Sequence, residues 1–489
     1  MRATIKYFLI SLVILSQVSC NEWLDLQPTS GLVRDEFWKT KEDVEAVLMA
    51  GYESFSAMDR KLFVFGEVRA DLVKGDFNQG WEEQLLMENN IYPDNGITNW
   101  ADFYKVINYC NEVIKNAPEV RQIDNTFTDF QMYSLMSEAY FLRSLAYFYL
   151  VRLYRDVPLV LTPSESDDTD FYLPISTEET ILNQIVSDLE ANRVYAPSGG
   201  FPTLAENKGR ASKAAYDALL ADIALWRFEY AKALEHIRSV EQNIEIQLMP
   251  TSRWFELFYP GNSLESIFEF QFDGGRNQRN NTFGLTQRFS YNYDPSQKAL
   301  EMFAFEFASE LIRGEGASIK KYGDDDFIIW KYVGQAPDGQ TTRAGDDQYS
   351  ANWIIYRLAD IKLMKAEALS QLERYTEALM VLNSIRQRAD VSALSLANTR
   401  VAFEDAILNE RALELAYEGK RWFDLLRMGR RDNYARKDKL IEVIVSNVPS
   451  TQKRILAAKL TNPLGWYLPV YESEIERNKN LKQNPFYDF

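Results

Sequence analysis

The chain has 489 residues and ordinary globular composition, 46% hydrophobic and 26% charged, with a net charge of −17. It carries one histidine, His236, and two cysteines, Cys20 and Cys110, too few for zinc sites or for nucleophiles that rely on a paired histidine. The acidic balance argues against nucleic acid, a polyanion bound through Lys/Arg patches.

At the N-terminus, Arg2 and Lys6 precede an apolar run from Tyr7 to Leu15, then Ser16-Gln17-Val18-Ser19 and Cys20. This pattern predicts a signal peptide over residues 1–19 rather than a membrane-spanning helix. A cysteine directly after a small residue predicts lipidation of Cys20 as the mature N-terminus, although Gln17 stands where an aliphatic residue is commoner. A lipid on Cys20 tethers an otherwise water-exposed body to a membrane. It also leaves Cys110 without an intrachain partner, so core packing rather than a disulfide holds the fold.

Apolar residues recur at three- and four-residue spacing near 40–58, 98–117, 131–155, 177–194, 212–242, 353–389 and 400–428, which predicts a mainly α body. The stretch from Met132 to Tyr154 is apolar almost all round, the mark of a buried helix. Ala221, Asp222, Tyr230, Ala233, Leu234 and Ile237 recur 145 residues later as Ala366, Glu367, Tyr375, Ala378, Leu379 and Leu382. Small residues on one helix and a tyrosine near the turn describe tetratricopeptide-like helical hairpins. Between the helical blocks, Ser266–Phe272 and 327–333 read as short strands, each followed by an irregular loop of the kind where binding residues collect.

Several segments together resemble the SusD/RagB family of outer-membrane nutrient-binding lipoproteins. They are Cys20-Asn21-Glu22-Trp23-Leu24-Asp25-Leu26-Gln27-Pro28, Phe37-Trp38-Lys39-Thr40, Glu138 to Phe148 with Asp156-Val157-Pro158-Leu159, Asn352 to Asp360 with Ala366-Glu367-Ala368, Asn409-Glu410-Arg411, Glu418 to Leu425, and the tail to Pro485. Arg155, Lys420 and Lys479 depart from the pattern, standing where glycine, histidine and proline are common. The resemblance implies a SusD-like fold with tetratricopeptide-like hairpins, irregular loops and a few short strands. The expected layout is a signal at 1–19, an N-terminal region at 20–270 and a C-terminal region at 271–489, the last two forming one unit. It further implies an outer-membrane, cell-surface location, no catalysis, no cofactor, and a SusC-like TonB-dependent transporter as partner. The ligand class is a glycan or, alternatively, a peptide; a tetratricopeptide-type adaptor without small ligand is the other reading.

Glu410, Glu414 and Glu418 share one helix face, a spacing that could suggest paired carboxylates for glycoside hydrolysis; an ion-pair network with Arg411, Arg421 and Arg427 is the expected alternative. His236 reads as structural, Cys110 as a small buried hydrophobe, and Asp324–Asp326 with Asp346-Asp347 as solvated loop charge rather than a calcium site. Glycan recognition needs flat aromatic faces with polar groups around them. Of ten tryptophans, Trp100, Trp226 and Trp422 fall in helical patterns, Trp23, Trp38, Trp353 and Trp466 in scaffold motifs, and Trp254 in a packed turn. Trp81 and Trp330 remain. The expected ligand-binding set is Trp81 with Tyr291 or Tyr293 as stacking platform, Trp330, and Arg69, Asp71 and Asn78 as polar contacts.

Overall fold

A computed structural model of the chain describes residues 37–76, 79–164, 172–287, 292–305, 310–322, 326–448 and 450–488. The signal sequence, Cys20 and Trp23 therefore lie outside the described residues. Helix α1 (Lys41–Ser56) opens with a capping box, in which the Thr40 hydroxyl accepts from the Asp43 N–H and the Asp43 carboxylate accepts from the Thr40 N–H. Strand β1 (Val73–Gly75) follows, then α2 (Trp81–Met87), α3 (Ala101–Ile123) and α4 (Asp129–Tyr154). Thr128 and Gln131 form a second capping box at the start of α4. Every residue of α4 from Phe141 to Tyr154 is buried, as an all-round apolar helix requires. Its two buried arginines are matched: Arg143 donates to Asn111 and Asp188, and Arg152 lies over the rings of Phe148, Tyr149 and Phe423.

The short strands β2 (Val157–Pro158) and β3 (Ile175–Ser176) pair antiparallel before α5 (Glu178–Asn192). Helices α6 (Lys213–Trp226) and α7 (Tyr230–Glu241) form the first repeat-bearing hairpin; α8 (Leu358–Gln371) and α9 (Tyr375–Arg388) form the second. Phe228 and Glu373, 145 residues apart, turn the two hairpins with the same left-handed backbone, at φ 62° and 61°. Helix α7 packs on α8, so the two distant copies are neighbours in space. Buried Ala221, Ala233, Ala366 and Ala378 allow the close approach.

The intervening 116 residues carry β4 (Ser266–Phe270), β5 (Tyr293–Pro295), β6 (Ile319–Tyr322), β7 (Asp326–Ile329) and β8 (Trp353–Arg357). Among the described residues the strands make four two-stranded antiparallel ribbons, β1–β5, β2–β3, β4–β8 and β6–β7. Two local expectations change. Residues 353–357 extend the helical pattern in sequence but form a strand, because pairing with β4 satisfies their backbone while all five side chains are buried. The strand expected over 327–333 stops at Ile329, and Trp330 to Val333 turn back. Helices α10 (Arg400–Glu414), α11 (Arg421–Tyr434), α12 (Lys437–Ser446) and α13 (Ser450–Leu460) complete the C-terminal part. No helix among the described residues is long and apolar enough to cross a membrane.

Candidate binding site

The β1–β5 ribbon sets Gly75 opposite Tyr293, and beyond it the Asp76 N–H donates to the Asn292 carbonyl at 3.0 Å. The stretch leading to Trp81 and the stretch ending at Asn292 therefore leave the same end of one ribbon. Trp81 is the first residue of α2 and is 64% exposed, the single exposed tryptophan among the nine described. Its two successors are tied down. The Glu82 carboxylate accepts from the Gly96 N–H at 2.7 Å, and the Asn95 amide donates to the Glu82 carbonyl at 3.0 Å. Buried Glu83 accepts from Arg60 Nε at 2.9 Å with one oxygen and from the Tyr293 hydroxyl at 2.6 Å with the other. An aromatic face whose support is already ordered binds without the entropic cost of ordering it. Tyr92, 47% exposed, sits in the loop that packs on α2 through Asn95, its hydroxyl accepting from the Asn90 amide at 3.2 Å. Tyr92 was not among the expected residues. Sorting the tyrosines by the same elimination would have found it, since Asn89-Asn90-Ile91-Tyr92-Pro93 lies outside every helical pattern.

Four of the expected contacts belong to the interior instead. Arg69 is buried, donating to the Trp466 and Gly465 carbonyls at 2.7 and 3.0 Å and to Asn89 at 3.0 Å, with its guanidinium 4.1 Å from the Trp422 ring centroid. Asp71 is buried against Arg421, at 2.7 and 3.0 Å. Tyr293 is buried, its ring 5.5 Å from Phe63 and its hydroxyl spent on Glu83. Trp330 is fully buried in a cluster with Trp254, Phe258 and Ile328, and its indole donates to the Ala336 carbonyl at 2.9 Å. None of these four presents a group to a surface ligand. Asn78 and Tyr291 lie outside the described residues.

The three glutamates form a buried ion-pair network, with other partners than those expected. Arg313 donates to Glu310, Glu410 and Glu414; Arg357 to Glu265, Glu414 and Glu418; Arg386 to Glu410; Arg388 to Glu265 and Glu414; and Lys331 to Glu418. Five carboxylates thus face five cations. Burial alone would raise the Glu414 carboxyl, but Arg388, Arg357 and Arg313 hold it well below the usual range. Arg411 pairs instead with Asp360 and Asp424, Arg427 with Glu367 and Asp424, and Arg421 with Asp71. His236 lies 3.2 Å from Asp217, and burial pushes the Cys110 thiol up to about 12. No group of three or more His, Cys, Asp or Glu among the described residues is placed to hold a metal ion. Asp324 and Asp325 lie outside the described residues.

Two family models match the sequence in succession. One, described as starch-binding associating with outer membrane, matches residues 22–225; the other, the SusD family, matches residues 314–487. The chain is 28% identical to SusD-like protein P38 of Formosa agariphila, with 97% of each chain covered. Its fold is similar to that of a SusD superfamily protein from Bacteroides vulgatus, with a TM-score of 0.76 at 20% identity over 92% of this chain and 100% of that one. It is also similar to a structure described as a laminarin binding SusD-like protein, with a TM-score of 0.72 at 21% identity over 91% and 99% of the two chains.

Proposed function

The chain belongs to the SusD/RagB family, and on that footing we propose that it captures a glycan at the cell surface and passes it to a SusC-like TonB-dependent transporter. In this reading a lipid on Cys20 holds it to the outer membrane. The family is one of carbohydrate-binding proteins associated with that membrane. The observation that carries the assignment to a site is the exposed Trp81 ring on a helix clamped at Glu82 and Glu83. A ring of this kind offers a flat face to the C–H face of a pyranose. Tyr92 lies in the adjoining loop, and Asn78 and Tyr291 belong to the two stretches that the β1–β5 ribbon joins.

A binding role without catalysis is supported by the state of the carboxylates. Glycoside hydrolysis needs one protonated and one ionised carboxyl group against the sugar, whereas Glu410, Glu414 and Glu418 are sealed from solvent and neutralised by arginines and Lys331. Native affinity electrophoresis over a panel of glycans tests the proposal. A retarding glycan is expected, with Trp81→Ala weakening it at least about tenfold, equivalent to ~1.4 kcal/mol. Retardation by no glycan together with binding of peptides would replace the glycan by a peptide ligand.

A further inference from the structure

At the end of α4 the backbone of Arg155 turns with φ 70° and ψ −68°. A glycine adopts this conformation freely, whereas a residue with a Cβ is strained in it. Strain of this kind persists only where the surrounding structure holds it, and it clusters at functional sites. Arg155 lines a cavity of about 420 Å³ between the α4–β2 turn, the strand β3 and residues 464–485, within the range of small-ligand sites. Tyr154, Tyr467, Pro174, Ile175 and Leu464 give it apolar and aromatic walls.

The charges in the lining are Arg155, Lys482 and Asp156, so this cavity is net positive in a chain of net charge −17. Asp156 accepts from Arg155 Nε and Nη2 at 2.8 and 2.6 Å and from the Glu178 N–H at 2.9 Å. That leaves Nη1 of Arg155 outside these bonds. Glu178, the other acid acting electrostatically on Arg155, is already engaged by Arg430 and the Trp226 indole. Lys482 is exposed and makes no hydrogen bond or ion pair with any described residue. The amides of Gln483 and Asn484 are spent on Val470 and Leu464 carbonyls, which fixes the wall from which Lys482 projects.

We propose that this cavity is a second ligand site, taking a sugar unit that bears a carboxylate or sulfate, with the anion between Arg155 and Lys482. That the ligand is a sugar rests on the proposed glycan-binding function; that it is anionic rests on the charge of the cavity alone. A guanidinium and an ammonium carried by two residues that line one cavity can recognise such groups through charge-assisted hydrogen bonds.

Isothermal titration of the full chain with glucuronate and with glucose 6-sulfate tests this, with glucose and inorganic sulfate as comparison ligands. At least one acidic sugar is expected to bind wild type. Arg155→Gly and Lys482→Ala should each weaken it at least tenfold, and binding should persist in Trp81→Ala. Because Arg155→Gly removes strain, it is expected to melt no lower than wild type, which separates lost binding from lost folding; Lys482→Ala, a surface change, gives a second separation. The proposal falls if neither acidic sugar binds, if glucose binds equally well, or if both variants keep wild-type affinity. Equal binding of inorganic sulfate would overturn the sugar and leave a free-anion site. Loss of acidic-sugar binding in Trp81→Ala alone would move the ligand to the platform and overturn the second site. Failure of Trp81→Ala to affect any glycan, by contrast, would count only against the platform.

Discussion

Glu67 and Glu367 are both buried carboxylates, and their partners send them in opposite directions. Glu67 sits in a π-helical turn, Val64–Val68, and accepts from the Gly419 and Lys420 N–H groups at 2.8 and 3.1 Å. Backbone amides compensate its desolvation only in part, so burial pushes it up to about 8. Burial also acts to raise Glu367, but Arg427 and Arg431 outweigh it and hold that group near 2. The contact at Glu67 depends on two glycines. A Cβ at Gly66 would lie 2.1 Å from the Gly419 carbonyl oxygen, and Gly419 itself turns at φ 71°. Since the folded pKa of Glu67 exceeds its unfolded value of 4.5, the native state holds the extra proton between pH 4.5 and about 8. Stability due to this group is therefore full below 4.5 and declines as pH rises, by on the order of 3 kcal/mol up to pH 7. In Glu67→Gln the fall in denaturant midpoint between pH 5 and 8 should be shallower than in wild type; an unchanged slope would assign that fall to other groups.

The proposed platform is a property of elements rather than of one ring. Helix α2 is short, seven residues, and isolated helices of that length do not persist in water. Its order comes from Glu82, held by Gly96 and Asn95, and from Glu83, which ties it at once to Arg60 and to Tyr293 on β5. Tyr293 is thus a positioning residue for Trp81 rather than a second stacking face. Tyr293→Phe removes one hydroxyl from a buried pair and keeps the ring against Phe63. It should cost about 1–2 kcal/mol of stability and weaken glycan binding several-fold, mainly through faster dissociation, which surface plasmon resonance would read. Wild-type dissociation in Tyr293→Phe would show that α2 holds Trp81 without the strand. Little of this clamp was legible in sequence. Glu83 and Tyr293 are 210 residues apart, and nothing local to either marks them as partners. Trp81 was singled out because it stands outside every helical pattern of the sequence, in a glycine-flanked stretch, but so does Trp330, which is buried. That Trp81 is exposed at the first position of α2 was decided by the fold.

At the scale of the molecule, the C-terminal part is organised around charge as much as around apolar packing. Arg357 alone reaches Glu265, Glu414 and Glu418 across β8, α10 and the turn after it. Such a network balances only while complete, because a buried charge that loses its partner bears the whole desolvation cost. Arg357→Met should therefore destabilise by about 3–5 kcal/mol, measured by urea unfolding at pH 7. A loss below about 1 kcal/mol would mean that Arg388 and Lys331 compensate unaided. The same network explains why the three glutamates on α10 and its following turn, spaced like a catalytic set, face guanidiniums instead of a cleft.

What the sequence by itself determined is what repeats locally: the long helices, the burial of α4 on all sides, the two hairpins 145 residues apart, and the family these motifs mark. Periodicity reports each helix face to a reader who knows nothing of the rest of the chain. The tertiary structure decided where the polar and aromatic residues of the irregular stretches go. Arg69 and Asp71 read as surface groups because a loop has no period to betray burial, yet their partners are Trp466 and Arg421, some 400 and 350 residues away. Trp330 turned inward because the chain reverses directly after β7, and residues 353–357 became a strand because β4 lay beside them. In each case the deciding interaction is long-range, and a pattern read over a dozen residues cannot contain it.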